Sequence, residues 1–202
     1  MDSIVLKKEY TLPTINEQEV LRYMGSKGVL ESELYRFLQG CINECNGRFK
    51  FEVCYKVFPL RLVGDECDFG VFKVYSKDLK VNLKGCDGCL VLAATVGVEI
   101  DRLITKYSKI SPLKSVIFQA IGAERIERLC DEFCKDFEAS RKIKLKPRFS
   151  PGYGDLPLSV QRELLSVLEC NKKIGVTLND SLLMSPTKSV TAFVGIKSGD
   201  VL

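Results

Sequence analysis

The chain has 202 residues, 46% of them hydrophobic, and carries a formal net charge of +4 with nine cysteines and no histidine. No apolar run approaches the ~20 residues of a membrane span, and the charge excess is too small to indicate nucleic-acid binding. The missing histidine excludes Ser-His and Cys-His nucleophile pairs. An odd number of cysteines, with no signal-peptide core at the start, predicts reduced thiols in the cytoplasm.

The first 48 residues are predicted to be helical. Asn16, followed three residues later by Glu19, resembles a capping box and predicts a short helix that ends at Gly25. A second helix is expected from about Glu31 to the Asn-Gly pair at 46–47. Its apolar residues recur at helical spacing, and they are Leu34, Phe37, Leu38, Cys41, Ile42 and Cys45.

From Phe49 the apolar period changes to two. Apolar residues alternate with polar ones or cysteine up to Val57, which predicts a half-buried strand. Further strands are predicted at 69–75 and in the apolar run 89–94. Thr95 and Gly97 then predict a turn into a helix, and such a connection could also gather free N–H groups at a ligand.

A long helix is predicted to begin at Ser111, the expected cap, with Pro112 in its first turn, and to run to about Ser140. A helix capped by Ser159, a short strand at 174–178 and a final strand at 189–196 follow. Because helices and strands do not alternate in a βαβ rhythm, the sequence predicts an α+β fold with a mainly antiparallel twisted sheet flanked by helices. We expect one domain, 1–202, in which a helical part (1–48) precedes a sheet-and-helix core (49–202).

The cysteines invite comparison with metal and redox sites. Cys86 and Cys89 form a C-x-x-C, which is half of a tetrahedral zinc site and lies outside a thioredoxin-like βαβ context. Two further pairs stand four residues apart on predicted helices, namely Cys41 with Cys45 and Cys130 with Cys134. Free cysteine behaves as a small hydrophobe, so core filling is the favoured interpretation, with an all-cysteine metal or redox site as the alternative.

The segment 148–155, RFSPGYGD, contains too much proline and glycine to be helix or strand. Its glycines allow positive φ angles and a close approach of backbone to a ligand. Arg148 can bind a carboxylate through two N–H groups, and Tyr153 can cover a flat group. These features predict a small-molecule loop. The alternative is a solvated connection in which Arg148 pairs with Asp155.

Together with residues 178–191, LNDSLLMSPTKSVT, this loop resembles the activation domain of cobalamin-dependent methionine synthase. That family carries an R-x-x-x-G-Y loop, followed downstream by L-T-E-S-x-x-M-x-P-x-x-S-V-S/T. The resemblance extends to residues 93–97 and to the helix at 120–131, so it covers most of the chain from about Glu17. The length of the chain resembles that of the short, stand-alone form of the domain. The chain departs from the family pattern in two ways. It ends at Leu202, where longer members continue into a segment with a Tyr pair, and the Asp-bearing N-terminal segment of the fused forms has no clear counterpart.

The resemblance implies the activation-domain fold and S-adenosylmethionine as the ligand. Glu127 matches a family glutamate that helps to hold this ligand, and Arg148 would bind its amino-acid carboxylate. Tyr153 would face the corrin, in a catalytic position. The residues implied to bind the ligand are Glu127, Arg148, Ser150, Pro151, Gly152 and Tyr153.

The implied function is the reductive methylation of cobalamin. The domain would present the methyl group of S-adenosylmethionine to cobalamin held by a methionine synthase or related corrinoid protein, while a flavodoxin-like or other one-electron reductant supplies the electron. Because methyl transfer to a metal nucleophile moves no proton, positioning would be the domain's whole contribution. An adaptor of the same fold that has lost the ligand and an all-cysteine metal or redox protein remain as alternatives. Neither nucleic acid nor a membrane is expected as a partner.

Overall fold

The computed structural model describes residues 4–25 and 32–197, which form nine strands and seven helices. In chain order these are β1 (Leu6–Tyr10), α1 (Glu17–Tyr23), α2 (Ser32–Cys45), β2 (Phe51–Pro59), β3 (Arg61–Val63), β4 (Glu66–Asp68), β5 (Lys73–Tyr75), α3 (Lys77–Leu83), β6 (Cys86–Thr95), α4 (Glu99–Ile110), α5 (Pro112–Arg141), α6 (Val160–Val167), α7 (Cys170–Ile174), β7 (Thr177–Leu178), β8 (Met184–Ser185) and β9 (Ser189–Lys197). Within these ranges no helix is both long enough and apolar enough to cross a membrane.

A four-stranded sheet in the order β1-β2-β6-β9 forms the centre, and all of its pairings are antiparallel. The short strands β3, β4 and β5 form a separate antiparallel sheet, and β7 pairs with β8. Helices flank the central sheet, so the predicted α+β class with a mainly antiparallel sheet is confirmed.

Both faces of the central sheet are covered by hydrophobic cores. Along β6, Leu90, Leu92 and Ala94 enter a first core with α1, α2, α4 and α5, whereas the intervening side chains enter a second core with α3, α6, α7 and the small sheet. Alternate residues of a strand point to opposite faces, so a strand covered on both sides shows the continuous apolar run seen here.

The predicted alternation of buried and exposed residues along β2 is wrong near its start. Residues 52–54 are all buried, and even Glu52 is only 2% exposed, whereas residues 55–57 are partly exposed. Two lysines form ion pairs with the Glu52 carboxylate: the Nζ atoms of Lys7 and Lys50 lie 2.6 and 2.9 Å from Glu52 Oε1. The polar residues that alternate along this segment predict a side of the strand that faces solvent. In the structure, the first of them within β2, Glu52, is instead buried and forms ion pairs with the two lysines.

The predicted N-cap residues stand at the starts of the helices, but not all of them make the capping hydrogen bonds that were expected. Asn16 caps α1 by accepting hydrogen bonds from the backbone of Gln18 and Glu19. The reciprocal half of the capping box is absent, since the Asn16 N–H donates to Glu124. The side chains of Ser111 and Ser159 make no capping hydrogen bond. The expected start of α2 at Glu31 lies outside the described residues.

A buried ion pair attaches the segment before α1 to the long helix α5. Arg125 and Glu124, 3% and 4% exposed, form a two-point contact. Arg125 also donates to the carbonyl oxygens of Pro13 at 2.6 Å and Thr14 at 3.3 Å. Two chain segments more than 100 residues apart are thereby held together by one guanidinium group.

Arg125→Ala should therefore destabilise the fold by roughly 3–5 kcal/mol, because it leaves the Glu124 charge buried without its partner. Arg102→Ala is the matched control: it removes an exposed pair with Glu99 and should change the free energy of unfolding by less than about 1 kcal/mol. Urea denaturation of both variants measures the difference. Equal losses would contradict the anchoring role of Arg125.

Candidate functional site

A cavity of about 550 Å³ lies beside β9, between α5 on one face of the sheet and α6 on the other. Charged side chains line one part of it, and uncharged ones line the rest. The lining residues are Glu127, Asp131, Pro147, Arg148, Ser150, Pro151, Tyr153, Gln161, Met184, Ser189, Val190 and Thr191.

Backbone pairing with β9 places the loop that forms the cavity wall. The Lys146 N–H donates to Gly195 O at 2.8 Å, and Phe149 and Phe193 exchange hydrogen bonds of 2.9 and 2.8 Å. Two isolated antiparallel bridges, Leu145 with Ile196 and Phe149 with Phe193, therefore attach the chain before the loop to the outer edge of β9. Because neighbouring side chains of an extended chain point to opposite sides, Phe149 packs against the second core while Arg148 is directed towards α5.

Arg148 is held between two carboxylates of α5. Its Nη1 donates to Asp131 Oδ1 at 2.6 Å and its Nη2 donates to Glu127 Oε2 at 2.8 Å. The two carboxylates stand four residues apart, which places them on one face of the helix. Arg148 is 22% exposed, against 47% for Glu127 and 53% for Asp131. Burial opposes the positive charge, but nearby negative groups outweigh it and raise the pKa of Arg148.

The far end of the loop is fixed to the start of α3. The Asp155 carboxylate accepts hydrogen bonds from the Ser76 hydroxyl and from the N–H groups of Lys77 and Asp78, at 2.8 and 3.2 Å for the latter two. The hydroxyl first, and then the backbone donors, hold the pKa of Asp155 below its ordinary value. In return the Asp155 N–H donates to Asp78 at 3.1 Å. The alternative in which Arg148 pairs with Asp155 is therefore wrong.

Five of the six residues implied to bind a ligand line the cavity, and these are Glu127, Arg148, Ser150, Pro151 and Tyr153. Gly152 does not line it. Its φ of +93° turns the loop, and its N–H donates to Leu156 O at 2.9 Å. The Tyr153 side chain is 68% exposed at the rim, with its ring centroid 6.5 Å from that of Phe149.

Several lining residues were not predicted as site residues. Asp131 lies in the predicted helix 111–140 and Gln161 in the predicted helix that follows Ser159, but neither was predicted to line a site. Met184 and residues 189–191 belong to the downstream motif of the resemblance. The motif was recognised in the sequence, but these residues were not predicted to line the site. The turn at Thr95 and Gly97 is absent from the lining, and the Thr95 hydroxyl accepts a hydrogen bond from Ser189 instead.

The nine cysteines are all free thiols, and seven are buried. Burial raises the pKa of Cys41 to about 11, and those of Cys45 and Cys130 to about 12. Such thiols are protonated at neutral pH, which makes them poor nucleophiles. Across residues 4–25 and 32–197, no group of three or more Cys, Asp or Glu side chains has the arrangement of a metal site.

Gly154 permits the close approach between the loop and α3. A Cβ atom there would lie 2.9 Å from Asp78 Cγ and closer still to its carboxylate, and the residue has a φ of +53°. Gly154→Ala should therefore break the Asp78–Asp155 contact in addition to straining the backbone. Gly64, with a φ of +56° and open space around it, provides the matched control.

Gly64→Ala should lose about 1–2 kcal/mol from backbone strain alone. Gly154→Ala should lose at least about 1 kcal/mol more, since a hydrogen bond to a carboxylate is also broken. Chemical denaturation measures both values. Equal losses would mean that the contact with Asp78 does not hold the loop.

Comparison with known proteins gives a structural likeness and no sequence match. No protein-family model matches the chain, and no curated protein matches it by sequence. Among solved structures, the MetH reactivation domain bound to AdoHcy (S-adenosylhomocysteine) superposes with a TM-score of 0.73 at 14% identity, covering 95% of this chain and 78% of that one. The chain therefore has the fold of the MetH reactivation domain.

Proposed function

We propose that the chain binds S-adenosylmethionine in the cavity beside β9 and presents its methyl group to a cobalamin held by a partner protein. The observation that carries the proposal is the Arg148 guanidinium held between Glu127 and Asp131 at a cavity that is otherwise lined by uncharged side chains. The structural neighbour, which is bound to AdoHcy, supports this choice of ligand.

The charges of the site complement those of the ligand. The amino-acid end of S-adenosylmethionine carries a carboxylate and an ammonium, next to the positive sulfonium. Arg148 can bind the carboxylate bidentately, and Glu127 and Asp131 can face the two positive groups. One guanidinium and two carboxylates sum to a charge of −1, which matches a ligand of net charge +1 better than the neutral S-adenosylhomocysteine.

The size and exposure of the site also suit this ligand. A volume of about 550 Å³ lies within the roughly 300–1,000 Å³ of small-molecule sites. Since Glu127 and Asp131 are about half exposed, their contacts with Arg148 contribute little to stability and can be exchanged for contacts with a ligand. The exposed Tyr153 ring at the rim leaves the cavity mouth accessible to a large partner.

The proposed step balances without a proton transfer. One electron from a flavodoxin-like or other reductant converts cob(II)alamin to cob(I)alamin, which uses its electron pair to form a cobalt–carbon bond with the methyl group. The carbon–sulfur bond breaks, and the sulfonium becomes the neutral thioether of S-adenosylhomocysteine. No general base is required, which is compatible with a chain that has no histidine.

Isothermal titration with S-adenosylmethionine tests the binding half of the proposal. Arg148→Ala should weaken binding about 10- to 150-fold, because a charge-assisted hydrogen bond contributes roughly 1.5–3 kcal/mol. Glu127→Gln should weaken S-adenosylmethionine more than S-adenosylhomocysteine, which lacks the sulfonium charge. Arg61→Ala, which removes an exposed guanidinium from its ion pair with Asp68 in the small sheet, outside the cavity lining, serves as the control. No binding by the unmodified chain would favour the adaptor alternative.

A spectrophotometric reactivation assay tests the catalytic half. The chain should convert cob(II)alamin to methylcobalamin only when S-adenosylmethionine, a one-electron reductant and a cobalamin-carrying protein are all present. Tyr153→Phe should change this rate more than it changes ligand affinity, because the exposed ring is proposed to face the corrin. Methylation of free cobalamin at a comparable rate would contradict the dependence on a partner.

A further inference from the structure

Gln161 is the second residue of α6 and lines the cavity beside β9. The residue is only 5% exposed. Its Oε1 atom is buried and has no hydrogen-bond partner among residues 4–25 and 32–197. Its backbone N–H already donates to Leu158 O at 3.1 Å, so the start of α6 does not depend on this side chain.

A buried amide oxygen without a partner is rare, because a buried polar group nearly always makes a hydrogen bond. The second core around α6 is formed by apolar side chains such as Leu156 and Leu164. A leucine or methionine at position 161 would fill similar space without desolvating an amide. The polar group therefore indicates an interaction with something that enters the cavity.

The neighbouring edge of β9 adds a second set of unused polar groups. Phe193 directs its backbone N–H and C=O outward to Phe149. Thr191 precedes Phe193 by two positions, so its N–H and C=O point to the same outer side of the strand. The loop has turned away from β9 after Phe149, which leaves the Thr191 peptide groups facing the cavity that this residue lines.

The cavity thus has two chemically different parts. Arg148, Glu127 and Asp131 supply all of its charged side chains, and Gln161 and residues 189–191 supply uncharged hydrogen-bonding groups. The ligand proposed above is divided in the same way, since its charges lie at the amino-acid end and its nucleoside carries neutral N–H and O–H donors.

We propose that Gln161 is a specificity residue for the nucleoside half of the ligand, where its amide oxygen accepts a hydrogen bond from the adenine amino group or a ribose hydroxyl. The Thr191 peptide groups extend the same polar surface. This inference rests on the proposed binding of S-adenosylmethionine, and it predicts that nucleoside recognition is independent of Arg148.

The test compares S-adenosylhomocysteine with methylthioadenosine, which has the same nucleoside but no amino-acid group, by isothermal titration. Gln161→Leu should weaken both ligands by the same factor, roughly 2- to 10-fold, the range expected for one neutral hydrogen bond. Arg148→Ala should weaken S-adenosylhomocysteine and leave methylthioadenosine unchanged. In the absence of ligand, Gln161→Leu should be at least as stable as the unmodified chain, whereas a structural role for the amide would make it less stable.

Three analogues of methylthioadenosine identify the donor, namely the 2′-deoxy, the 3′-deoxy and the N6,N6-dimethyl compounds. The analogue that lacks the relevant donor should bind weakly to the unmodified chain and lose nothing further in Gln161→Leu. Unchanged affinity of Gln161→Leu for both parent ligands, or further losses with all three analogues, would overturn the inference while leaving the proposed function intact. No binding of S-adenosylmethionine or S-adenosylhomocysteine to the unmodified chain would overturn both. Gln161→Met replaces the leucine variant if the latter does not fold.

Discussion

The site depends on the antiparallel pairing of residues 144–149 with the outer edge of β9. The bridges Leu145–Ile196 and Phe149–Phe193 differ in register by one residue, and the two hydrogen bonds between Phe149 and Phe193 set the register next to the loop. Since side chains alternate along an extended chain, that register directs Arg148 towards α5 and Phe149 into the second core. A slip of one residue would exchange the two and place a guanidinium in an apolar environment. The core that holds Phe149 therefore also positions the charge.

The ion pairs of Arg148 contribute little to the stability of the fold. Arg148 is bound by two carboxylates that are each about half exposed, and such pairs contribute roughly 0–1 kcal/mol to stability. The buried pair of Glu124 and Arg125, only one turn earlier on α5, has the opposite character, because removal of either partner leaves a buried charge. One helix thus carries a buried ion pair and a solvent-exposed one side by side.

The loop combines a fixed base with an exposed tip. Asp155 and Asp78 exchange hydrogen bonds across the start of α3, and Gly154 is the residue whose small size allows this contact. Tyr153, two residues before Asp155, is largely exposed at the cavity rim. This arrangement suits the proposed function, in which the chain would hold a ligand in place for a partner, because the backbone of the loop would not need to be ordered on binding.

Elements with local signals are predictable from the sequence. Continuous or periodic apolar residues predicted α5, β6 and β9, and dense proline and glycine predicted the loop at 148–155. The short strand β1 and helix α3 were missed, because brief elements carry little periodicity and form through their partners. The partner of Asp155 is visible only in the folded chain. Its carboxylate binds the start of α3 at Ser76, 79 positions earlier in the sequence, and does not pair with Arg148. That the Gln161 amide oxygen has no partner within 4–25 and 32–197 is likewise visible only in the folded chain. A pattern shows which side of an element is apolar, but which polar groups meet depends on how distant segments are brought together by packing.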